Sequence, residues 1–229
     1  MTSIFKSKDL ATKQKLRGGY YTPEKIAHYV SDWALRNKSE SVLEPSCGDG
    51  NFVKSALTVA NRKRIDIDLV AVEIDEDEIA KAKQRNSSSS IKWVNEDFFR
   101  AYTQLKANNE SFDVVLGGNP PFIRFQYFSD ESRDIAFEHL RDVGYKPTKL
   151  ANSWAAFVQL SIEVLNDGGR LGMVIPAELL QVKYATELRE RVVKHFDHVV
   201  LVGFKKLVFP DIQQEVVLLL AEGKHSKEG

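Results

Sequence analysis

Short runs of aliphatic and β-branched residues recur along this 229-residue chain, near 41–44, 68–73, 91–94, 112–117, 170–175, 198–202 and 215–221, and stretches with helical spacing separate most of them. This alternation constrains the fold strongly. Consecutive parallel strands need a long crossover, and a helix is the usual one, so the pattern reads as an α/β sheet covered by helices. A first helix is expected to enter through Thr22 as N-cap and Pro23 as first helical position, with Ile26, Tyr29, Val30, Trp33 and Ala34 at helical spacing. Further helices are expected from about Phe52, over Glu76 to Arg85, over Trp154 to Leu165 and over Glu187 to His195. Between Asn119 and Asn152 the pattern weakens apart from a short helix near Ser132 to Arg141, and a connection of that length reads as a lid or binding loop.

Composition narrows the class. With 43% hydrophobic residues the chain can bury the core of one domain, and no metal or disulfide is needed to hold it. Cys47 is the only cysteine, which excludes a disulfide framework and argues for a reducing, cytoplasmic setting. No apolar run reaches the roughly 18 residues of a membrane span, and the opening residues lack the apolar segment of a signal peptide. The protein is therefore expected to be neither exported nor membrane-bound. The 32 basic and 32 acidic side chains cancel, but unevenly. Lys6, Lys8, Lys13, Lys15 and Arg17 face only Asp9, and six Lys or Arg between 183 and 206 face Glu187, Glu190 and Asp197. Each basic stretch fits a solvated face as well as a phosphate-contact face. Histidines 28, 139, 195, 198 and 225 have no metal-ligand spacing, so no metal is expected.

Four segments carry chemistry. In Val42-Leu43-Glu44-Pro45-Ser46-Cys47-Gly48-Asp49-Gly50 a strand ends on an acid and runs through a glycine turn into a helix, where open α/β sheets bind their ligands. Val53 occupies the third glycine position of a dinucleotide motif, which disfavours NAD; a plain tight turn explains this segment equally well by itself. Glu73, ending the next strand before Ile74 and Asp75, can accept hydrogen bonds from both hydroxyls of a ribose, or it can be a surface acid preceding an Asp75 helix cap. In Asn95-Glu96-Asp97-Phe98-Phe99, Asp97 offers a carboxylate to an exocyclic amine and Phe98 a face to a flat ring, although one of the two phenylalanines belongs in the core. Together these describe an adenosine site without a phosphate cradle, which suits S-adenosylmethionine better than ATP.

The fourth segment, Gly117-Gly118-Asn119-Pro120-Pro121-Phe122, follows a buried strand. Two prolines cannot continue the sheet, and they hold a rigid turn whose carbonyls are available. The Asn119 side-chain oxygen and the Pro120 carbonyl can both accept hydrogens from one planar NH2 group, localising its lone pair toward a methyl-sulfonium carbon, while Phe122 stacks on the ring.

In the order Tyr20-Tyr21-Thr22-Pro23, LEPSCGDGNF, VEID, EDFF, GNPPF and NDGGRLGMVIPAELL, the chain resembles the gamma-class adenine-N6 DNA methyltransferases of restriction-modification systems. The resemblance runs from about Gly19 to Ala221. It implies a Rossmann-like S-adenosylmethionine-dependent methyltransferase fold, a mainly parallel seven-stranded sheet with the last strand antiparallel and helices on both faces. It implies methyl transfer from S-adenosylmethionine, leaving S-adenosylhomocysteine, to N6 of an adenine flipped out of double-stranded DNA. By the same resemblance Tyr21, Thr22, Pro23, Glu44, Pro45, Ser46, Cys47, Gly48 and Gly50 line the methionine part of the cofactor, Glu73 the ribose, and Asp97 and Phe98 the adenine, with Ile74 also among the cofactor-binding residues. Asn119, Pro120, Pro121 and Phe122 form the catalytic turn, Asn119 and Pro121 also bordering the cofactor, and Phe209 packs on the target base with Phe122.

Many relatives have tyrosine where Phe122 stands, a change that preserves stacking. Relatives also continue into a target-recognition region, whereas this sequence ends soon after its last strand. The expected organisation is a basic segment 1–18, a catalytic domain 19–222 and a tail 223–229, with recognition supplied by a domain or specificity subunit outside the chain. The competing reading is a methyltransferase with the same Asn-Pro-Pro turn acting on a protein glutamine or an RNA base. A non-catalytic relative of the fold predicts a damaged turn, and here the turn is intact.

Overall fold

The computed structural model describes residues 21–149, 151–208 and 215–225. In chain order these form α1 (Glu24–Ala34), β1 (Ser39–Glu44), α2 (Asn51–Lys63), β2 (Asp66–Glu73), α3 (Glu76–Arg85), β3 (Ile91–Asn95), α4 (Phe98–Ala107) and β4 (Phe112–Gly117). A 3-10 turn (Phe125–Tyr127), α5 (Asp130–Asp142), α6 (Trp154–Glu163), β5 (Leu165–Pro176), 3-10 turns at Ala177–Leu180 and Lys183–Ala185, α7 (Thr186–His195), β6 (Phe196–Gly203) and β7 (Val216–Lys224) follow.

The strands form one sheet in the order β3-β2-β1-β4-β5-β7-β6. β3, β2, β1, β4 and β5 are parallel, and β7 runs antiparallel between β5 and β6, as expected for the last strand. Chain order reverses between β1 and β4, so the carboxyl ends of these two strands open a crevice where such sheets bind ligands.

Helices cover both faces. On one, Ala27, Val30 and Ala34 of α1, Val53, Ala56 and Val59 of α2 and Ala82 of α3 pack over Val42, Val114, Leu116 and Val174. On the other, Phe99 and Leu105 of α4, Phe137 and Leu140 of α5, Trp154 and Leu160 of α6 and Leu188 of α7 pack over Leu43, Val115, Leu171 and Met173. Every residue of α6 from Trp154 to Ile162 is buried, consistent with a helix apolar on nearly all sides. A fully buried ion pair ties the framework together: Arg170 of β5 donates to both Glu40 oxygens of β1 at 2.8 Å and to the carbonyl of Ala34.

The structure corrects several sequence expectations. Thr22 does not cap α1; Pro23 is the N-cap, its carbonyl accepting from Ile26 and Ala27, while the Thr22 hydroxyl bonds across the molecule. The segment after Asn95 is a full helix, α4, capped by Asp97; its signal was an N-cap residue followed by Phe98, Phe99, Tyr102 and Leu105 on one face. The helix starting at Trp154 ends at Glu163, because Leu165 already pairs with Phe112 in β5. Of the lid or binding-loop reading of 119–152, the open lid does not hold around α5: Phe125 packs edge-on against Phe128 and Phe137 at centroid distances of 5.2 and 4.9 Å, anchoring α5 in the core. β7 continues to Lys224, beyond the expected end of the domain at 222. Residues 1–18, Phe209 and most of the expected tail lie outside the described residues.

Candidate active site

Glu44 ends β1, Glu73 ends β2, Asn95 ends β3 and Gly117 ends β4, and these four parallel strands are neighbours in the sheet. Register alone therefore delivers all four chemistry-bearing segments to one rim.

The turn after β1 is set by two glycines in the left-handed region, Gly48 at φ +51° and Gly50 at φ +87°. The Cys47 N–H bonds the Val72 carbonyl at 2.9 Å, and the Gly50 N–H bonds the Cys47 carbonyl at 2.9 Å. From outside, Arg85 pairs with Asp49, and Asn86 Nδ2 donates to the carbonyls of Gly50 (3.4 Å) and Ala82 (2.9 Å). Cys47 is 6% exposed, and burial pushes its thiol well above the usual range, which suits a packing residue and not a nucleophile. Pro45 is buried and Ser46 half-buried in the same turn.

Glu44 is 1% exposed. Its Oε1 accepts the Gly118 N–H at 3.1 Å, and its Oε2 is buried with no hydrogen-bond partner among the described residues. Burial pushes its carboxyl well above the usual carboxylate range, so a cationic partner at Oε2 would favour the ionised form. Glu73 accepts the Gly48 N–H at 2.9 Å through Oε2 and the Asp75 N–H at 2.8 Å through Oε1. Each oxygen has capacity for one more donor. Burial raises its pKa as well. Ile74, beside it, exposes 44% of its surface at the rim. Asn95, which sequence reasoning passed over, donates to the Glu73 and Ile74 carbonyls at 2.9 and 3.2 Å and fixes that corner.

Asp97 caps α4 by accepting the Phe99 N–H at 3.0 Å, and burial raises its pKa to about 6. The Phe98 ring does not stand open as an adenine platform. It is 2% exposed and stacked on Phe157 at 4.9 Å, because α4 turns it into the core; Phe99 is buried too. Of the residues expected around the adenine, Asp97 is the one that keeps a polar group at this corner.

Tyr21 to Pro23 cross above the glycine turn. The Tyr21 ring lies beside Gly48, 3.6 Å from where a Cβ would stand, and its hydroxyl donates to Glu78 at 2.6 Å. Thr22, 3% exposed, donates its hydroxyl to the Gly118 carbonyl, and Asn51 Nδ2 donates to the Thr22 carbonyl at 3.3 Å. The strap, the acid of β1 and the turn after β4 thus meet at one peptide, Gly118, where a Cβ would come within 2.9 Å of the Phe52 ring. Asn119 follows it, with its side-chain oxygen buried from water. Pro120 is buried, Pro121 half-buried, and the half-buried Phe122 packs against both apolar clusters. Among the described residues no cluster of metal-ligating side chains occurs and no helix is long and apolar enough to cross a membrane.

A seven-stranded sheet with β7 antiparallel, an acidic glycine turn at the switch point and an Asn-Pro-Pro turn beside it define an α/β methyltransferase fold. The chain belongs to the N-6 DNA methylase family, whose model matches residues 7–229. It is 26% identical over 205 residues to the type II methyltransferase M.AccI of Acinetobacter calcoaceticus, covering 88% of this chain and 36% of that protein. To M.CvrRI of Paramecium bursaria Chlorella virus XZ-6E it is 27% identical over 222 residues, covering 93% and 50%. The chain thus spans a third to a half of the length of these curated relatives. Its fold matches the methyltransferase subunit of a type I restriction-modification system from Streptococcus thermophilus with a TM-score of 0.73 at 17% identity, over 91% of this chain and 46% of that one.

Proposed function

We propose that this chain carries the catalytic part of an adenine-N6 DNA methyltransferase of a restriction-modification system, with S-adenosylmethionine as methyl donor and adenine in double-stranded DNA as acceptor. The observation that carries the reading is the Gly118 peptide, whose N–H rests on the cofactor-side acid Glu44 while its neighbour Asn119 begins the acceptor turn. Donor and acceptor sites therefore abut.

The residues fit the donor. The unpartnered Glu44 Oε2 suits an ammonium group, the remaining capacity of Glu73 two ribose hydroxyls, and Ile74 with Asp97 an adenine ring and its exocyclic amine. Gly48, Gly50, Pro45, Ser46 and Cys47 would shape the methionine end beneath Tyr21, Thr22 and Pro23. When bound, S-adenosylmethionine supplies an electrophilic methyl carbon on a sulfonium. The chain's own part is positional. The Asn119 side-chain oxygen and the Pro120 carbonyl accept hydrogen bonds from both hydrogens of the adenine amine, draw them out of conjugation with the ring and so localise the nitrogen lone pair toward the donor methyl. Extruding the base costs roughly a few kcal/mol, which stacking on Phe122 offsets in part. Phe209 would supply the opposite face, and the basic segments would hold the backbone.

We read residues 19–222, extended to the end of β7, as the catalytic unit. Sequence recognition belongs to a further domain or specificity subunit, and the single cysteine supports a cytoplasmic setting. The alternative acceptors, a protein glutamine or an RNA base, fit the turn equally, but the family match favours DNA.

The test is incubation with methyl-labelled S-adenosylmethionine and unmethylated genomic DNA, followed by digestion to nucleosides. Labelled N6-methyladenine is expected. Asn119→Ala should abolish the label while calorimetry still shows S-adenosylhomocysteine binding. No labelled adenine in DNA, with label appearing when protein or RNA is supplied instead, would overturn the acceptor, and loss of cofactor affinity in the variant would overturn the assignment of Asn119 to the amine.

A further inference from the structure

An Asn-Pro-Pro turn has an unusual structural problem. Pro120 and Pro121 have no N–H, so beyond the Gly118 N–H bonded to Glu44 the middle of the turn offers no backbone donor and is held through its carbonyls from outside. At its entry the Thr22 hydroxyl grips the Gly118 carbonyl. At its exit Ser153, 0% exposed, donates its hydroxyl to the Pro121 carbonyl and its N–H to the Ile123 carbonyl at 2.8 Å.

Ser153 is the N-cap residue of α6. A serine there ordinarily turns its oxygen back onto the first-turn amides of its own helix. Here it makes no side-chain cap bond, and the hydroxyl is committed to the turn instead. The helix that carries it is buried at every position from Trp154 to Ile162, so the brace is anchored on a rigid element. Around it the exit is zipped further: Phe125 N–H bonds the Ala151 carbonyl at 3.1 Å, Gln126 N–H bonds the Lys149 carbonyl at 3.1 Å, and Arg124 bridges Asn152.

We propose that Ser153 is a positioning residue for methyl transfer, its hydroxyl fixing the Pro121 carbonyl so that the preceding Pro120 carbonyl keeps its aim at the acceptor amine. This rests on the functional reading above. Ser153 touches neither donor nor acceptor and acts only through the turn, whereas Thr22 also belongs to the strap over the cofactor. The two ends of the turn should therefore separate experimentally.

The test compares Ser153→Ala with Ser161→Ala in the full 229-residue chain. Ser161 lies on the same helix, equally buried, and its hydroxyl has no partner among the described residues. In Ser153→Ala, kcat should fall on the order of 10- to 100-fold, the size expected when a reacting group is misaligned. Cofactor affinity should stay at the wild-type value, and Ser161→Ala should retain wild-type kcat. Amide hydrogen exchange supplies a readout independent of turnover. The amides of Gly118, Asn119, Phe122 and Ile123 should exchange about tenfold faster or more in Ser153→Ala, with β4 and β5 unchanged. Wild-type kcat in Ser153→Ala, or exchange in the turn equal to wild type, overturns the proposal. So does a parallel loss of cofactor affinity, which would mark a general loosening of the site. If the wild-type chain labels no adenine, the functional reading fails by itself, and the exchange experiment still decides whether Ser153 braces the turn.

Discussion

Replacing Gly50 by alanine separates two physical reasons for a glycine. Its φ of +87° lies in the left-handed region, where an L side chain costs about 1–2 kcal/mol. Space is short as well. A Cβ would stand 2.6 Å from Asn86 Nδ2, 3.0 Å from the Ala82 Cβ and 3.2 Å from the Ala82 Cα, the last being backbone of α3 that cannot swing aside. Overpacking of this kind adds about 1–3 kcal/mol. Gly168 provides the control: its φ is +76°, but nothing lies within 4 Å of its Cβ position. Gly168→Ala should therefore lose only the conformational part, while Gly50→Ala should lose about 2–5 kcal/mol in all. Both variants gain the same small stiffening of the unfolded chain, which cancels in the difference. At about 2–4 °C per kcal/mol for a chain of this size, Gly50→Ala should melt visibly below Gly168→Ala. If the loop relieves the overlap by moving, the difference appears instead as cofactor affinity, about tenfold for each 1.4 kcal/mol. Thermal melts and calorimetry with S-adenosylhomocysteine, run together, capture either route. A Gly50→Ala protein no less stable than Gly168→Ala and with unchanged cofactor affinity would refute the packing argument.

Arg170→Met leaves the Glu40 carboxylate buried without its ion-pair partner and should lower stability by about 3–5 kcal/mol in urea titration, with the double variant Glu40→Gln, Arg170→Met losing less. A loss under about 1 kcal/mol would show that the pair is dispensable. Asp97 should make stability fall as pH rises: its folded pKa near 6 lies above the unfolded value near 3.8, so the native state binds more protons across that window and the destabilisation is complete above it. Asp97→Asn keeps an oxygen for the Phe99 N–H, so melting between pH 4 and 7 should show a shallower decline while cofactor affinity drops; an unchanged decline would place the titration elsewhere.

Much of this protein was legible in the sequence because its information is local. Strand and helix periods, the glycines of the first turn and the prolines of the last are properties of a few consecutive residues, and parallel register carries Glu44, Glu73, Asp97 and Asn119 to one rim. Other features depend on partners distant in the chain. Thr22 looks like a helix cap until Gly118 stands opposite its hydroxyl, Ser153 carries no local signal until Pro121 stands opposite its own, and Phe98 looks like a ligand platform until α4 turns it onto Phe157. The weak pattern of 119–152 suggested a lid or binding loop because its aromatic spacing has no simple period, yet the rings of Phe125, Phe128 and Phe137 find one another in the core. The sequence by itself determined the layered α/β architecture and which residues are chemically able to act. Only the tertiary structure decided how a turn with two successive prolines is held in place, because a hydrogen bond between side chain and carbonyl needs the two atoms brought together by packing that no local pattern records.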